Sequence, residues 1–475
     1  GAMLMQREAN RLNLGTSGVA RINIAADGLT TVYKPGWPLK NELPNSGFDV
    51  WSNSTLCNPT TGAAPVLGDA GDLITDGTFS DTANWPTQNT GWAVTGGQAV
   101  ATSAASSYAV GQTIPTTVVG KLYQVQIVVS GYSAGGIYVH QFDGVSASPT
   151  ISANGTHTFT CEMLTAFTSF QIRASGTTTL DVDSVTFHEV TPGCVNTSSH
   201  LAMDGWWKDL LTKCWRQHND GGTLTHDGSF YATQVYFPAA GYELAQPVAN
   251  TLAEWTQRFA GRTMTFGCWM KSSNATKVRL SDSDGYTDVT HTGGGGWEWL
   301  EVTRTCGASI SAFRVVIRGA ATETVYFSQP MLVFGSAIGE GNYSRPSGEI
   351  VWFEKQVDSN KYEALTGQSD EAMTTLNLEA DSNGAIPKGA KAAMLYTFIK
   401  DSGSAGGDTY LRARADSTAG NLYVNDATGK ANDAQSRLGG WQSCDSSGDI
   451  QVQMEATGSG TLDIDGFEYK GVQLR

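Results

Sequence analysis

The segment TTTLDVDSVTFHEV at 177–190 is echoed near the end of the chain by GTLDIDGFEYKGVQL at 460–474. A more divergent version, TETVYFSQPMLVFGS, stands between them at 322–336. The echo extends upstream. GKLYQVQIVVSG (120–131), GRTMTFGCWMKSS (261–273) and GAKAAMLYTFIKDSG (389–403) each precede TSFQIRASG (168–176), SAFRVVIRGA (311–320) and GDIQVQMEATG (448–458). One order of strands written three times is the mark of tandem homologous domains. Within the segments apolar and polar residues alternate with period two, as in Gln171–Ile172–Arg173, so one face packs inward and the other meets solvent or a partner. Gly, Asn, Asp and Ser cluster between them, as antiparallel connections require. The prediction is an all-β chain of three tandem jelly-roll-like β-sandwich domains.

Two opening strands in a row complicate the boundaries. NSGFDVWSNST (45–55) is followed by a second opening, LITDGTFSDTANW (73–85). This order makes sense if the first domain is inserted into the second, the alternative being a linear string with a longer linker. Insertion divides the chain into a segment 1–44, a discontinuous sandwich of 45–68 plus 193–347, an inserted sandwich 69–192, and a C-terminal sandwich 348–475. TTGAAPVLGDAG and TPGCVNTSS read as the surface loops where a guest domain is tolerated. The opening GAM reads as a scar of tag cleavage. MLMQREANRLN suggests a short helix, and VARINIAADGLTTVY a hairpin turning at Asp27–Gly28. Neither buries enough apolar surface alone, so 1–44 reads as a stem that needs neighbouring copies of the chain.

Charge and cysteine usage narrow the function classes. Asp and Glu outnumber Lys and Arg by 45 to 30, a formal charge of −15, which argues against nucleic acid as a partner. Only 16% of residues are charged, a composition at home in β-rich extracellular or virion proteins. The seven cysteines show no zinc-binding spacing and read as free thiols, as for a chain folded in a reducing cytoplasm. No apolar run reaches the length of a membrane span, so no membrane insertion is expected.

Phe48, Trp51, Asp204 and Trp206, in NSGFDVW and AMDGWW, with the exit GNYSRP, resemble a sandwich domain of phage tail-fibre and virion proteins. The match departs by the interruption at 69–192 and by Asn53 where that family usually has Arg. LITDGTFSDTANW, GKLYQVQIVVSG and TTTLDVDSVTF are similar to jelly-roll carbohydrate-binding modules for xylan and glucan. Together the resemblances imply a phage tail-fibre or receptor-binding adhesin of the virion, a homotrimer joined to other tail proteins, that binds host-surface polysaccharide without catalysis. A structural fibre protein and a polysaccharide-degrading enzyme are the alternatives.

Sugar binding needs flat aromatic faces for the apolar sides of pyranose rings and polar groups for their hydroxyls. GYSAGGIYVHQFDG puts Tyr138 and His140 on one side of a strand and Ile137, Val139 and Gln141 on the other. Trp85, Trp92, Tyr132, Tyr138, His140 and Gln141 are the candidate carbohydrate-binding residues, with core packing the competing fate of both tryptophans. Trp206 reads as core, and Trp297 and Trp299 as a packed stripe. The module resemblance also implies a structural calcium between an opening acid and a closing Asp. Asp183 matches the closing position, but Ser80 stands where the opening acid belongs; in the second domain Asp49 keeps the opening acid and Ser328 replaces the closing one. DSDGYTD (282–288) lacks the Gly and Glu positions of a calcium loop and reads as a hairpin turn. GYSAG (131–135) satisfies a nucleophile-elbow pattern, yet a strand rather than a helix follows Ser133, so no catalytic residue is assigned.

Overall fold

The computed structural model describes residues 12–16, 19–24, 30–32, 39–218, 223–250, 257–346, 348–401, 409–416, 418, 423, 425–430, 434–456 and 460–474. The fold is all-β, and every strand pairing among the described residues is antiparallel. Near the N-terminus Leu12–Thr16, Val19–Ile24 and Thr30–Val32 form a small sheet. The expected turn at Asp27–Gly28 and most of the expected helix lie outside the described residues. All seven cysteines are free.

Three hydrophobic cores organise the rest. One gathers Leu43, Phe48 and Trp51 with residues from Cys194 to Leu332. A second is drawn from Ile74 to Phe187, and a third from Val351 to Leu474, joined by Val50. In the first, Phe48 meets Phe327 edge-on at 4.6 Å, and Trp206 lies 5.7 Å from Phe48. The Asp204 carboxylate fixes the opening segment to this core by accepting bonds from the Ser52 amide and hydroxyl, both at 2.6 Å. Its two sheets follow the sandwich pattern. Lys213–His218, Tyr231–Phe237, Glu323–Phe334, Thr263–Lys271 and Trp297–Thr305 run in that order in one. Trp207–Lys208, Glu243–Asn250, Ala312–Arg318, Lys277–Asp282 and Gly285–Thr290 make the other. DSDGYTD is the turn of that last hairpin, where the Asp282 carboxylate pairs with Arg304.

The two opening segments share one backbone device. Asn45 (φ 51°) and Phe48 (φ 57°) are left-handed, as are Asp76 (φ 59°) and Phe79 (φ 55°). In both turns the Phe amide bonds back three residues, to Asn45 O and to Asp76 O, each at 3.1 Å. The Asn45 side-chain oxygen accepts from the Asp49 and Val50 amides, and the Asp76 carboxylate from the Ser80 and Asp81 amides. A left-handed Phe costs on the order of 1–3 kcal/mol. It is offset here by burying both rings almost completely and by satisfying the turn's amides.

The closing strand Ser169–Cys194 ties the parts together. Its first residues pair with Ala109–Thr113 and with the end of Leu122–Val139. Residues 184–190 pair with the start of Leu122–Val139. Residues 191–194 then leave the second core and pair with Thr55–Cys57 and Lys213–His218 of the first. One strand thus joins two sheets into a thirteen-stranded array.

The third core packs two sheets built from Ile350–Asp358, Leu462–Gln473, Ala392–Asp401 and Ser436–Ser443, and from Glu371–Leu376, Ile450–Glu455, Tyr410–Arg414 and Asn425–Thr428. Its short helix Leu378–Asp381 carries Glu379 to Arg216, a buried ion pair roofed by Tyr231. Tyr231 Oη donates to Glu379 (3.1 Å), and Arg216 donates to Gly384 O (3.1 Å). Because burial pushes the Glu379 carboxyl up, the pair holds only while both partners are present. Arg216→Ala should lower stability in urea by about 3–5 kcal/mol, and Arg216→Met with Glu379→Leu should restore most of it. A loss under about 1 kcal/mol in the single variant would contradict this account.

Nearby, burial, Asp445 and Glu162 raise the Asp449 carboxyl to about 7, while Lys388 pairs with Glu162. A carboxyl raised in the fold stabilises it fully below the ordinary value near ~4 and loses that contribution as pH rises through about 7. The melting temperature should therefore fall between pH 5 and pH 7, and Asp449→Asn should flatten that fall. Identical pH profiles for the two proteins would rule the effect out.

Candidate functional site

The outer face of the sandwich around the second core is built by three neighbouring strands. In Leu122–Val139 the side chains of Ile137 and Val139 are fully buried, while Tyr138 projects to the opposite face and is half-buried. Tyr138 stands opposite Arg173, Arg173 opposite Ala109, and Gln171 opposite Gly111. The His140 amide continues the register by donating to Gln171 O (2.9 Å). Arg173 donates through Nε (3.0 Å) and Nη2 (2.8 Å) to the Gln171 side-chain oxygen, which locks both groups on the face. Gly111 makes room for this arrangement, since a Cβ there would lie 2.8 Å from Gln171 Cγ and 2.6 Å from Phe170 O. Tyr108, just before this edge strand, is 42% exposed, and its carbonyl accepts the Ala174 amide.

The His140 imidazole is held below its usual range, by burial first and by the Arg173 charge second. It therefore stays neutral near pH 7, with a donor and an acceptor nitrogen. The face offers the ring of Tyr138 beside amide, imidazole and guanidinium groups. None of these four side chains is a carboxylate.

The other expected residues fall elsewhere. Trp85 and Trp92 are corrections: both are core, 0% and 6% exposed. Trp85 packs on Phe79 at 4.5 Å and donates to Asp76 O, while Trp92 donates to Tyr108 O. A sandwich of this size fills its interior with its largest rings, and each indole N–H finds a backbone acceptor there. Tyr132 is partly packed against the core, with its hydroxyl on Gly135 O. Gln141 is exposed, but its left-handed backbone (φ 51°) opens a turn and breaks the alternation that placed it opposite His140. Arg173 and Gln171 were not nominated from sequence. Their place beside Tyr138 comes from long-range register, whose local signal is only the alternation of 171–173.

At the positions where calcium was expected, the carboxylates have protein partners. The Asp183 carboxylate is held by neutral donors, Ser130 Oγ (2.7 Å) and Gln98 Nε2 (2.5 Å). Ser80 donates to Asp76 (2.6 Å). Asp49 pairs with the Arg345 guanidinium. Among the described residues no three His, Cys, Asp or Glu side chains gather as metal ligands. Ser133 of GYSAG lies inside the strand Leu122–Val139, with no helix after it. Between the first two cores a cavity of about 440 Å³ is lined by Lys121, Glu189, Gln217 and Gln234 among others. These polar groups are already bonded to each other, Lys121 to Glu189 and Gln217 to Gln234. It reads as a junction.

No family model matches the sequence, and neither does any curated protein. Solved structures resemble parts of it. The C-terminal family 22 carbohydrate-binding module of Clostridium thermocellum Xyn10B is 14% identical, covering 29% of this chain and 89% of that one, with a TM-score of 0.23. The enzymatically active domain of tailspike protein 4 of bacteriophage CBA120 is 10% identical over 28% of this chain and 19% of that one, TM-score 0.21. An archaeal virus protein with a triple jelly roll fold, part of a turret assembly, is 9% identical over 79% and 85%, TM-score 0.17. These likenesses carry no functional argument, which rests on the side chains above.

Because the carboxylates at the expected calcium positions already have protein partners, EDTA should leave the thermal unfolding midpoint unchanged. A drop of several degrees, reversed by added calcium, would show a cation site in the fold.

Proposed function

We propose that the chain is a non-catalytic adhesin of a phage virion, binding host-surface polysaccharide through its β-sandwiches. Each hydrophobic core is a domain in this reading, with 69–192 inserted between 45–68 and 193–347, and 348–475 completing the chain. The observation that carries the reading is the Tyr138 face. It is a sheet surface where an aromatic ring stands beside a neutral imidazole, an amide and a guanidinium, the combination that pyranose rings require. Such shallow contacts are individually weak. A homotrimer on a tail fibre would engage several sites of one polysaccharide at once, and effective concentration would supply the strength. The low content of charged residues and the negative net charge accord with a virion surface protein. No described helix is long and apolar enough to cross a membrane.

A glycan array probed with the full chain tests this reading. A confined set of hits is expected, weakened by about 1 kcal/mol, roughly five- to tenfold, in Tyr138→Ala, with a smaller loss in His140→Ala. Trp92→Ala should instead lower stability, since that ring is core. Hits that survive both Tyr138→Ala and Arg173→Ala would remove the site from this face.

A further inference from the structure

The strand Ala392–Asp401 has an unusual pattern: Leu395 and Ile399 face the core, yet Met394, Tyr396 and Phe398 on the other side are apolar too. A strand apolar on both faces ordinarily belongs in a sheet covered on both sides. Here the outer side chains are half-buried, and Trp352 on the edge strand is 58% exposed.

The rings are laid down rather than standing. Register runs from Trp352 to Gly471, from Gly471 to Met394, and from Met394 to Trp441. Three strand spacings separate the two tryptophan backbones by about 14 Å. Their ring centroids are only 5.5 Å apart. Both indoles therefore lean toward each other across the strands between. Glycines clear the ground for them. A Cβ at Gly471 would come within 3.1 Å of Trp352 Cε3, one at Gly439 within 2.5 Å of Tyr396 Cε1, and one at Gly466 within 2.7 Å of Phe398 Cδ2. Each glycine is a bare lattice point over which a neighbouring ring lies.

The lysines around this paving are paired with acids. Lys470 pairs with Glu468 (2.7 Å) and Lys400 with Asp463 (3.7 Å). The Arg437 guanidinium sits over Phe398 (5.2 Å) and donates to Gln435. The surface is aromatic, with the Trp352 and Trp441 ring planes inclined at 59°, and its lysines are neutralised by acids. Exposed ring faces suit the C–H faces of sugar rings.

We propose that this face is a second polysaccharide-binding surface, taking a neutral chain of pyranose units laid across Trp352, Trp441 and Tyr396. It rests on the glycan-binding reading and adds a separate site on the C-terminal sandwich. The test is native affinity electrophoresis of the full chain in gels containing xylan, β-1,4-galactan, glucomannan or alginate, with sedimentation velocity of each variant. At least one neutral polysaccharide should retard the protein. Trp352→Ala and Trp441→Ala should each weaken that retardation about five- to tenfold, with sedimentation unchanged. Retardation lost in Tyr138→Ala but untouched in both tryptophan variants would overturn this surface and leave the glycan reading standing. A smaller sedimenting species in Trp352→Ala, with retardation unchanged, would make the face a contact between copies of the chain and also overturn the proposal. Preference for alginate would overturn the neutral class. A wild-type chain that no gel retards would overturn the glycan reading itself.

Discussion

The structure depends on a single continuous backbone, the strand Ser169–Cys194. Its hydrogen bonds belong in turn to the sheet that displays Arg173 opposite Tyr138, to the sheet closed by Leu122–Val139, and to the sheet of the first core through Thr191–Cys194. A strand cannot slip by one residue without turning every side chain to the other face, so register in one sheet constrains register in the next. The candidate site is positioned by that constraint. Tyr138 and Arg173 are brought together by pairing between residues far apart in sequence, and Gly111 leaves the space in which Gln171 lies.

The third sandwich is held against this unit by buried polar groups. Arg216 and Glu379 are each 2% exposed, and Asn377 and Lys388 meet Glu162 at the end of the strand Gly155–Glu162. Ion pairs of this kind add little net stability over an apolar pair but penalise every arrangement that leaves one partner buried alone. They fix orientation, which matters to a protein whose aromatic faces lie on different sandwiches.

Much of the fold was legible because period-two alternation is local. The alternation at 137–140 separated Ile137 and Val139 from Tyr138 and His140 correctly, and the want of a helix after Ser133 disposed of the nucleophile-elbow pattern. Four things were not legible. Left-handed Phe48 and Phe79 are stabilised by turns whose acceptors are an amide in one case and a carboxylate in the other, and such a backbone favours Gly or Asn, not Phe. The partner of Asp49 is Arg345, whose approach is a product of the tertiary fold and not of local spacing. Trp85 and Trp92 have the composition of a sugar platform and the environment of a core, and burial alone distinguishes the two. The glycines beneath Trp352, Tyr396 and Phe398 read as ordinary strand glycines until register sets each beside a ring.

The central claim is that polysaccharide lies on uncovered aromatic sheet faces and not in a closed pocket. Hydroxyl-radical footprinting of the full chain, with and without the polysaccharide that retards it most, tests this directly because it reports the solvent access of individual side chains. The account predicts slower oxidation of Tyr138 and His140 in the bound state, and no change at Trp85 or Trp92. Protection confined to the cavity between the first two cores, with Tyr138 oxidised at the same rate in both states, would contradict it.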